Sequence, residues 1–243
     1  MDKQEEVSRR GFLVSAGKIA AGATLGAAGL SMFATQGSSA ASVEIPPFPW
    51  PYKKLDPEAV YWKGVENYGK GGCGYGSFSA LIGQLGHPFT VIPFDILRFG
   101  EGGVAGWGSH CGALLGASAV ISLIHQDATI RSKLINELTL WYTEDLGSGS
   151  QLCHVSVTEW AKKNGVAVDS DARKARCARL TGEVAKKATQ LLNAQADGQF
   201  VAMVGPRPEV VGCISCHGKP GMEQVRNSVL QDCTSCHGEK HTN

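Results

Sequence analysis

Residues 111–141, CGALLGASAVISLIHQDATIRSKLINELTLW, carry the reading that decides the fold. Ala113, Leu114, Ala117, Val120, Ile121 and Ile124 recur at i, i+3 and i+4, which puts them on one face of an α-helix. Ile130, Leu134, Leu138 and Trp141 repeat the pattern, so the stretch predicts two helices that pair. Downstream, Ser156 is expected to cap a short helix containing Trp160, and Leu180, Val184, Ala188 and Leu191 mark a long helix ending near Asp197-Gly198. Phe200–Val204 is the one strand candidate. The fold class is therefore mainly α.

Composition agrees. The 243 residues are 43% hydrophobic and 19% charged with a mean hydropathy of −0.08, as in a soluble globule rather than a disordered polyelectrolyte or a chain of several membrane spans. Lys+Arg 23 against Asp+Glu 22 leaves a formal charge of +1, too little field to hold nucleic acid. The 31 glycines and 8 cysteines are the unusual counts, and so many thiols imply disulfides, metal or covalently attached cofactors.

Residues 1–40 read as an export signal. Ser8-Arg9-Arg10-Gly11-Phe12-Leu13 precedes a weakly apolar, small-residue run from Ile19 to Ala34 and a Ser38-Ser39-Ala40 end, and the paired arginines resemble the twin-arginine signal. That address implies a periplasmic protein exported already folded, with no membrane span once the signal is removed. Removal takes away Lys3, Arg9, Arg10, Lys18, Asp2, Glu5 and Glu6, leaving 19 charges of each sign. Residues 41–56 form a Pro-rich arm, in which Ile45–Tyr52 favours an extended conformation. Asp56-Pro57 predicts a short helix over about residues 57–68. Residues 64–116 hold 15 of the glycines, interleaved with Phe94, Ile96, Phe99 and Trp107, and are expected to form an ordered loop around a site.

After residue 205 the composition changes. The tail, 206–243, contains Cys213-Ile214-Ser215-Cys216-His217 and Cys233-Thr234-Ser235-Cys236-His237. In C-x-x-C-H the two thiols add across the vinyl groups of one haem and the histidine ligates its iron. Cys213, Cys216, Cys233 and Cys236 are thus the expected thioether positions, and His217 and His237 the proximal ligands. Fifteen residues between the motifs hold the two porphyrins close together. So short a tail cannot cover both, so it is expected to fold back on the helical domain or to dock on a second subunit. Dimerisation with the haems near the subunit interface is the expectation. Among the other histidines, His125 reads as a satisfied core residue and His87, before Pro88, as part of a turn. His110 and His241 are the expected distal ligands, with His154 next.

Cys73, Cys111, Cys153 and Cys177 are too widely spaced for a local zinc ribbon. Two disulfides, an iron–sulfur cluster on four thiolates, and tetrahedral zinc all suit them. Cys73 in Gly-Gly-Cys-Gly and Cys111 at a helix start could each receive backbone N–H groups at sulfur, which favours the thiolate and hence the cluster.

Over most of the mature chain these features resemble the split-Soret cytochromes c. The spacing of Cys73, Cys111-Gly112-Ala113 with Gly116, Cys153 and Cys177 is similar to the four-cysteine domain of that family, although His110 stands where a glycine precedes the second cysteine. The two terminal motifs match the family's addition to that domain. The resemblance implies a homodimer with two bis-histidine haems per subunit, one axial histidine crossing between subunits, and a [2Fe–2S] cluster on the four cysteines. Residues 57–205 are then a helical iron–sulfur domain and 206–243 a loop-rich dihaem tail. With haems at about −1 each and an oxidised cluster at about −2, the holo subunit would be acidic by about four charges and suit redox partner proteins with a basic patch. The expected function is periplasmic electron transfer rather than catalysis. The alternative is a haem-based reductase of a nitrogen oxide or peroxide with one open distal site, although no Arg/His/Tyr cluster near the haem motifs argues for it.

Overall fold

Asp56 starts the first helix, its carboxylate accepting the Glu58 amide at 2.9 Å while Pro57 fills a first-turn position that needs no donor. In the computed structural model, which describes residues 44–205, 208–217, 219 and 230, this helix, α1, runs Pro57–Leu85. The expected end near residue 68 is corrected, because the chain kinks once, at Gly71 and Gly72, and continues helical through Cys73. Gly72 carries a φ of +76°, which glycine alone adopts cheaply.

The glycines read as loop chemistry are largely packing residues. A Cβ at Gly64 would stand 2.9 Å from Gly182 Cα, and one at Gly116 would stand 2.4 Å from Gly74 O. They let helices cross backbone to backbone. The ordered loop is shorter than expected and lies between α1 and the next helix, with two 3₁₀ turns at Phe89–Val91 and Phe94–Gly100.

Helix α2 spans Gly112–Ile124 and α3 spans Ala128–Thr143, the latter capped by Asp127, whose Oδ1 accepts the Ile130 amide at 2.8 Å. They pair as the periodicity predicts, burying Leu114, Val120 and Ile121 against Leu134 and Leu138. Helix α4, Cys153–Asn164, begins after Leu152. Ser156 is therefore inside the helix and buried, not its cap. Helix α5, Asp171–Ala196, is capped by Ser170 and ends at Asp197 as expected. It packs along α1, and α2 and α3 close the core from the other side around Phe78, Leu81, Val184 and Leu192.

The Pro-rich segment is not a free arm. Trp50 is buried edge-on to Phe89 at 5.3 Å, and the Tyr52 hydroxyl donates to Asn193 Oδ1 at 2.8 Å. Residues 201–205 are neither helix nor strand, so the strand candidate is withdrawn. Among the described residues the one β-type pairing is the isolated antiparallel bridge His110–Leu152. Beyond the boundary, α6 spans Pro208–His217. No helix among the described residues is long and apolar enough to cross a membrane. The export signal and the second C-x-x-C-H motif, with Cys233, Cys236, His237 and His241, lie outside the described residues.

Candidate metal centre

Four helices each bring one cysteine to the same place. Cys73 follows the kink of α1, Cys111 is the N-cap of α2, Cys153 opens α4, and Cys177 lies in the second turn of α5. The segments carrying Cys111 and Cys153 are bonded to each other. The Cys111 amide donates to Gln151 O at 2.9 Å, Cys153 to Ser109 O at 2.6 Å, and His154 to Gly108 O at 2.9 Å.

The loop 102–106 closes over this crossing. Gly102, Gly103, Val104, Ala105 and Gly106 all have φ between 51° and 82°, a left-handed run in which Val104 and Ala105 are strained. The run brings the Gly102 amide to Cys73 Sγ as a donor. It also presses Gly103 on Cys153, where a Cβ would stand 2.6 Å from Cys153 Cβ.

The four cysteines line one narrow cavity together with Tyr142, Ser156 and Arg176. Cys73, Cys153 and Cys177 also border an adjoining open cleft of about 640 Å³, edged by Tyr68, Arg98, Glu101 and Arg173. Cys111 does not border it and is buried at 8% exposure. Among the described residues no three His, Cys, Asp or Glu side chains converge as a single ion would need. The donors surround a space instead.

Burial pushes the Cys73 thiol up to about 12, and Cys111, Cys177 and Cys153 each push it further in the same direction. Burial likewise raises Cys153 to about 11, with Cys111 and Cys177 adding to it and Arg173 and Arg176 opposing. Cys111 is raised by burial, against which work the Tyr142 hydroxyl and the amides of Ala113 and Leu114 at the start of α2. The expected backbone donors to Cys73 and Cys111 are thus both present. Cys73, Cys111 and Cys153 hold their protons until a cation replaces them. Together with none of the four being disulfide-bonded, this donor set fits a thiolate-ligated iron centre.

Cys213 and Cys216 sit one turn apart on α6, half-buried and exposed respectively, and His217 ends that helix. The histidines divide by their surroundings. His110 is half-buried beside Cys111, and burial lowers its pKa. His154 is exposed, with Nδ1 2.9 Å from Gly108 O. His87 is in a turn, as read. His125 caps the C-terminus of α2, and its buried Nε2 has no partner among the described residues, so it is not the satisfied core residue expected.

Tyr142, Ser156 and Arg176 escaped the sequence reading as site residues. Tyr142 stands four residues after Leu138 and so continues the apolar face of α3; Arg176 is adjacent to Cys177. Neither position signals chemistry until the cysteines converge.

Residues 73–191 match the family described as "Putative redox-active protein (C_GCAxxG_C_C)". The chain is 33% identical to the split-Soret cytochrome c of Desulfovibrio desulfuricans, the alignment covering 78% of each. It also resembles a solved structure described as a novel iron centre in the split-Soret cytochrome c from that organism. There the TM-score is 0.70 at 31% identity, covering 79% of this chain and 91% of the other.

Proposed function

The chain belongs to the split-Soret cytochrome c family, and from that premise we propose that it is an exported, periplasmic electron-transfer protein. In this reading Cys73, Cys111, Cys153 and Cys177 hold a [2Fe–2S] cluster. One haem is bound covalently at Cys213 and Cys216 with His217, and another at Cys233 and Cys236 with His237. The observation that carries it is the shared cavity of the four cysteines, drawn from four helices across 105 residues of sequence.

When bound, the irons supply one-electron chemistry. The chain's own residues then have definite tasks. The amides of Gly102, Ala113 and Leu114 donate to sulfur and offset thiolate charge. The loop 102–106 lies against Cys73 and Cys153, and its Gly102, Ala105 and Gly106 form part of the wall of the cleft that Cys73, Cys153 and Cys177 border. His217, at the end of α6, presents an imidazole one residue after the second thioether position.

Among the distal candidates the geometry favours His154 over His110. An Nδ1–H donated to Gly108 O leaves Nε2 as the lone-pair nitrogen on an exposed ring, the tautomer in which histidine ligates metal. His241 remains the other candidate. A pair of haems on so short a tail needs further cover, which supports a homodimer with the haems near its interface.

Metal analysis of the purified mature protein tests the assignment. Four irons per chain are expected, two of them retained as covalent haem after acid extraction. Two irons, all in haem, would overturn the cluster.

A further inference from the structure

The chain between α5 and the first haem motif is held at three points. Past the end of α5, the amides of Gln199 and Phe200 both donate to Ala194 O, at 2.8 and 3.1 Å, and Phe200 packs against the core. Next, Glu137 of α3 accepts the Met203 and Val204 amides on one carboxylate oxygen, Oε1, the second at 2.6 Å. Val210, on α6, is then buried at 1% exposure.

The middle point stands out. Residues 201–205 belong to no helix or strand, so no ladder satisfies their backbone. Their side chains do not hold them either, since Val201 and Met203 are 75% and 84% exposed. What grips this stretch is the carboxylate, whose charge makes its hydrogen bonds stronger than those to a neutral acceptor. Glu137 is half-buried, and among the described residues no lysine or arginine pairs with it. The helix that supplies it also lines the cysteine cavity, through Tyr142. Those two positions are separated by about 7.5 Å of helical rise. On the other side, α6 begins shortly after Val204 and carries Cys213, Cys216 and His217.

We infer that Glu137 is a positioning residue that roots α6 on α3 of its own chain, and so fixes the haem of Cys213, Cys216 and His217 relative to the four cysteines of the same subunit. The inference rests on the haem and iron-centre assignment above, and adds that the first haem is partnered with the iron centre of its own chain. In an exchange between them one iron is oxidised as the other is reduced, by one electron and with no proton moved. Its rate responds to their separation, whereas each potential is set by ligands and their immediate surroundings.

The test compares the holoprotein of wild type, Glu137→Ala and Glu137→Gln in two measurements. Amide hydrogen exchange, read by mass spectrometry, should quicken about tenfold or more at Met203 and Val204 in Glu137→Ala, with α1 to α5 as protected as before. Glu137→Gln keeps a neutral acceptor of the same shape, so it should fall between, and it covers the case in which the alanine variant fails to fold. After photoreduction, electron exchange between the iron centre and the haem should slow in the same order, with both midpoint potentials unmoved. Unchanged amide exchange at Met203 and Val204, or exchange quickened evenly over the whole chain, overturns the inference. So does a loosened linker with electron exchange still at the wild-type rate. Absence of haem on Cys213 and Cys216, or of an iron–sulfur signal, in wild type overturns the functional reading instead, and the amide measurement still decides whether Glu137 holds the linker.

Discussion

Gly112 lies directly against Cys73: a methyl group in place of its hydrogen would stand 2.7 Å from Cys73 Sγ and 2.2 Å from Gly100 O. The contact joins the first turn of α2, where Cys111 is the cap, to the first residue after the kink in α1. Two of the four cysteines, from distant parts of the sequence, are thereby held at a separation that any larger residue would widen.

Gly112→Ala should therefore cost stability, on the order of 1–3 kcal/mol as for other overpacked sites, and should reduce iron loading. Gly83→Ala is the matched control. It is an exposed position of α1 where a Cβ meets nothing within 4 Å, so alanine should stabilise by about 0.5–1 kcal/mol with iron content unchanged. Urea unfolding of the two variants, each assayed for iron, checks the pair; equal effects of the two substitutions would contradict the packing argument.

The helix crossing of α1 and α5 gives a second case, at Gly182, which follows Thr181 of the cysteine cavity but does not itself line it. A Cβ at Gly182 would stand 2.7 Å from Tyr61 O. Gly182→Ala should destabilise by about 1–3 kcal/mol and leave the spectrum of the loaded iron centre unaltered. A changed spectrum would mean that the crossing is part of the site.

These two glycines show what was legible in the sequence and what was not. Helices α2, α3 and α5 were readable because each buries a regular apolar face, and the four cysteines were identifiable as one group. The path of α1 was not. Gly71, Gly72, Gly74 and Gly76 resemble a loop in sequence, yet only Gly71 and Gly72 leave helical geometry; Gly74 and Gly76 serve close packing. Ser156 misled for a related reason, since a serine near a helix start looks like a cap until its burial against Arg176 is known. Tyr142 and Arg176 reach the cysteine cavity only because the helices meet there, which one-dimensional spacing does not encode.

The thiols make stability depend on pH in a predictable sense. Cys73 and Cys153 are pushed up to about 12 and about 11 from an ordinary value of 9.0, chiefly by burial. A thiol with a higher pKa folded than unfolded stabilises the fold while protonated, so its contribution is intact below about pH 9 and is lost as pH rises toward the folded values. Iron-free protein should lose urea resistance as the pH rises from roughly 9 to 11. Iron-loaded protein should lose less, because its sulfurs carry no protons to release. Tyr52, raised to about 12 by burial, contributes the same sign in both forms, so the difference between them isolates the thiols. Parallel curves would contradict the assignment.

Replacing Cys213 and Cys216 together by serine should halve the covalently attached haem, measured by mass spectrometry of the denatured chain, while the iron–sulfur signal survives. Loss of all haem would mean that the two motifs do not load independently.

His154→Ala should make one haem reactive toward carbon monoxide and leave the iron–sulfur signal in place. If His110→Ala opens the haem and His154→Ala does not, the order of the two ligand candidates is reversed.

The central claim is a four-cysteine iron centre working beside six-coordinate haems, and EPR of the purified mature protein tests it most directly, oxidised and then reduced with dithionite, alongside its haem spectrum with and without carbon monoxide. The account predicts a [2Fe–2S] signal that appears on reduction and low-spin haems that carbon monoxide leaves unchanged. No cluster signal, with all the iron accounted for as haem, would contradict it.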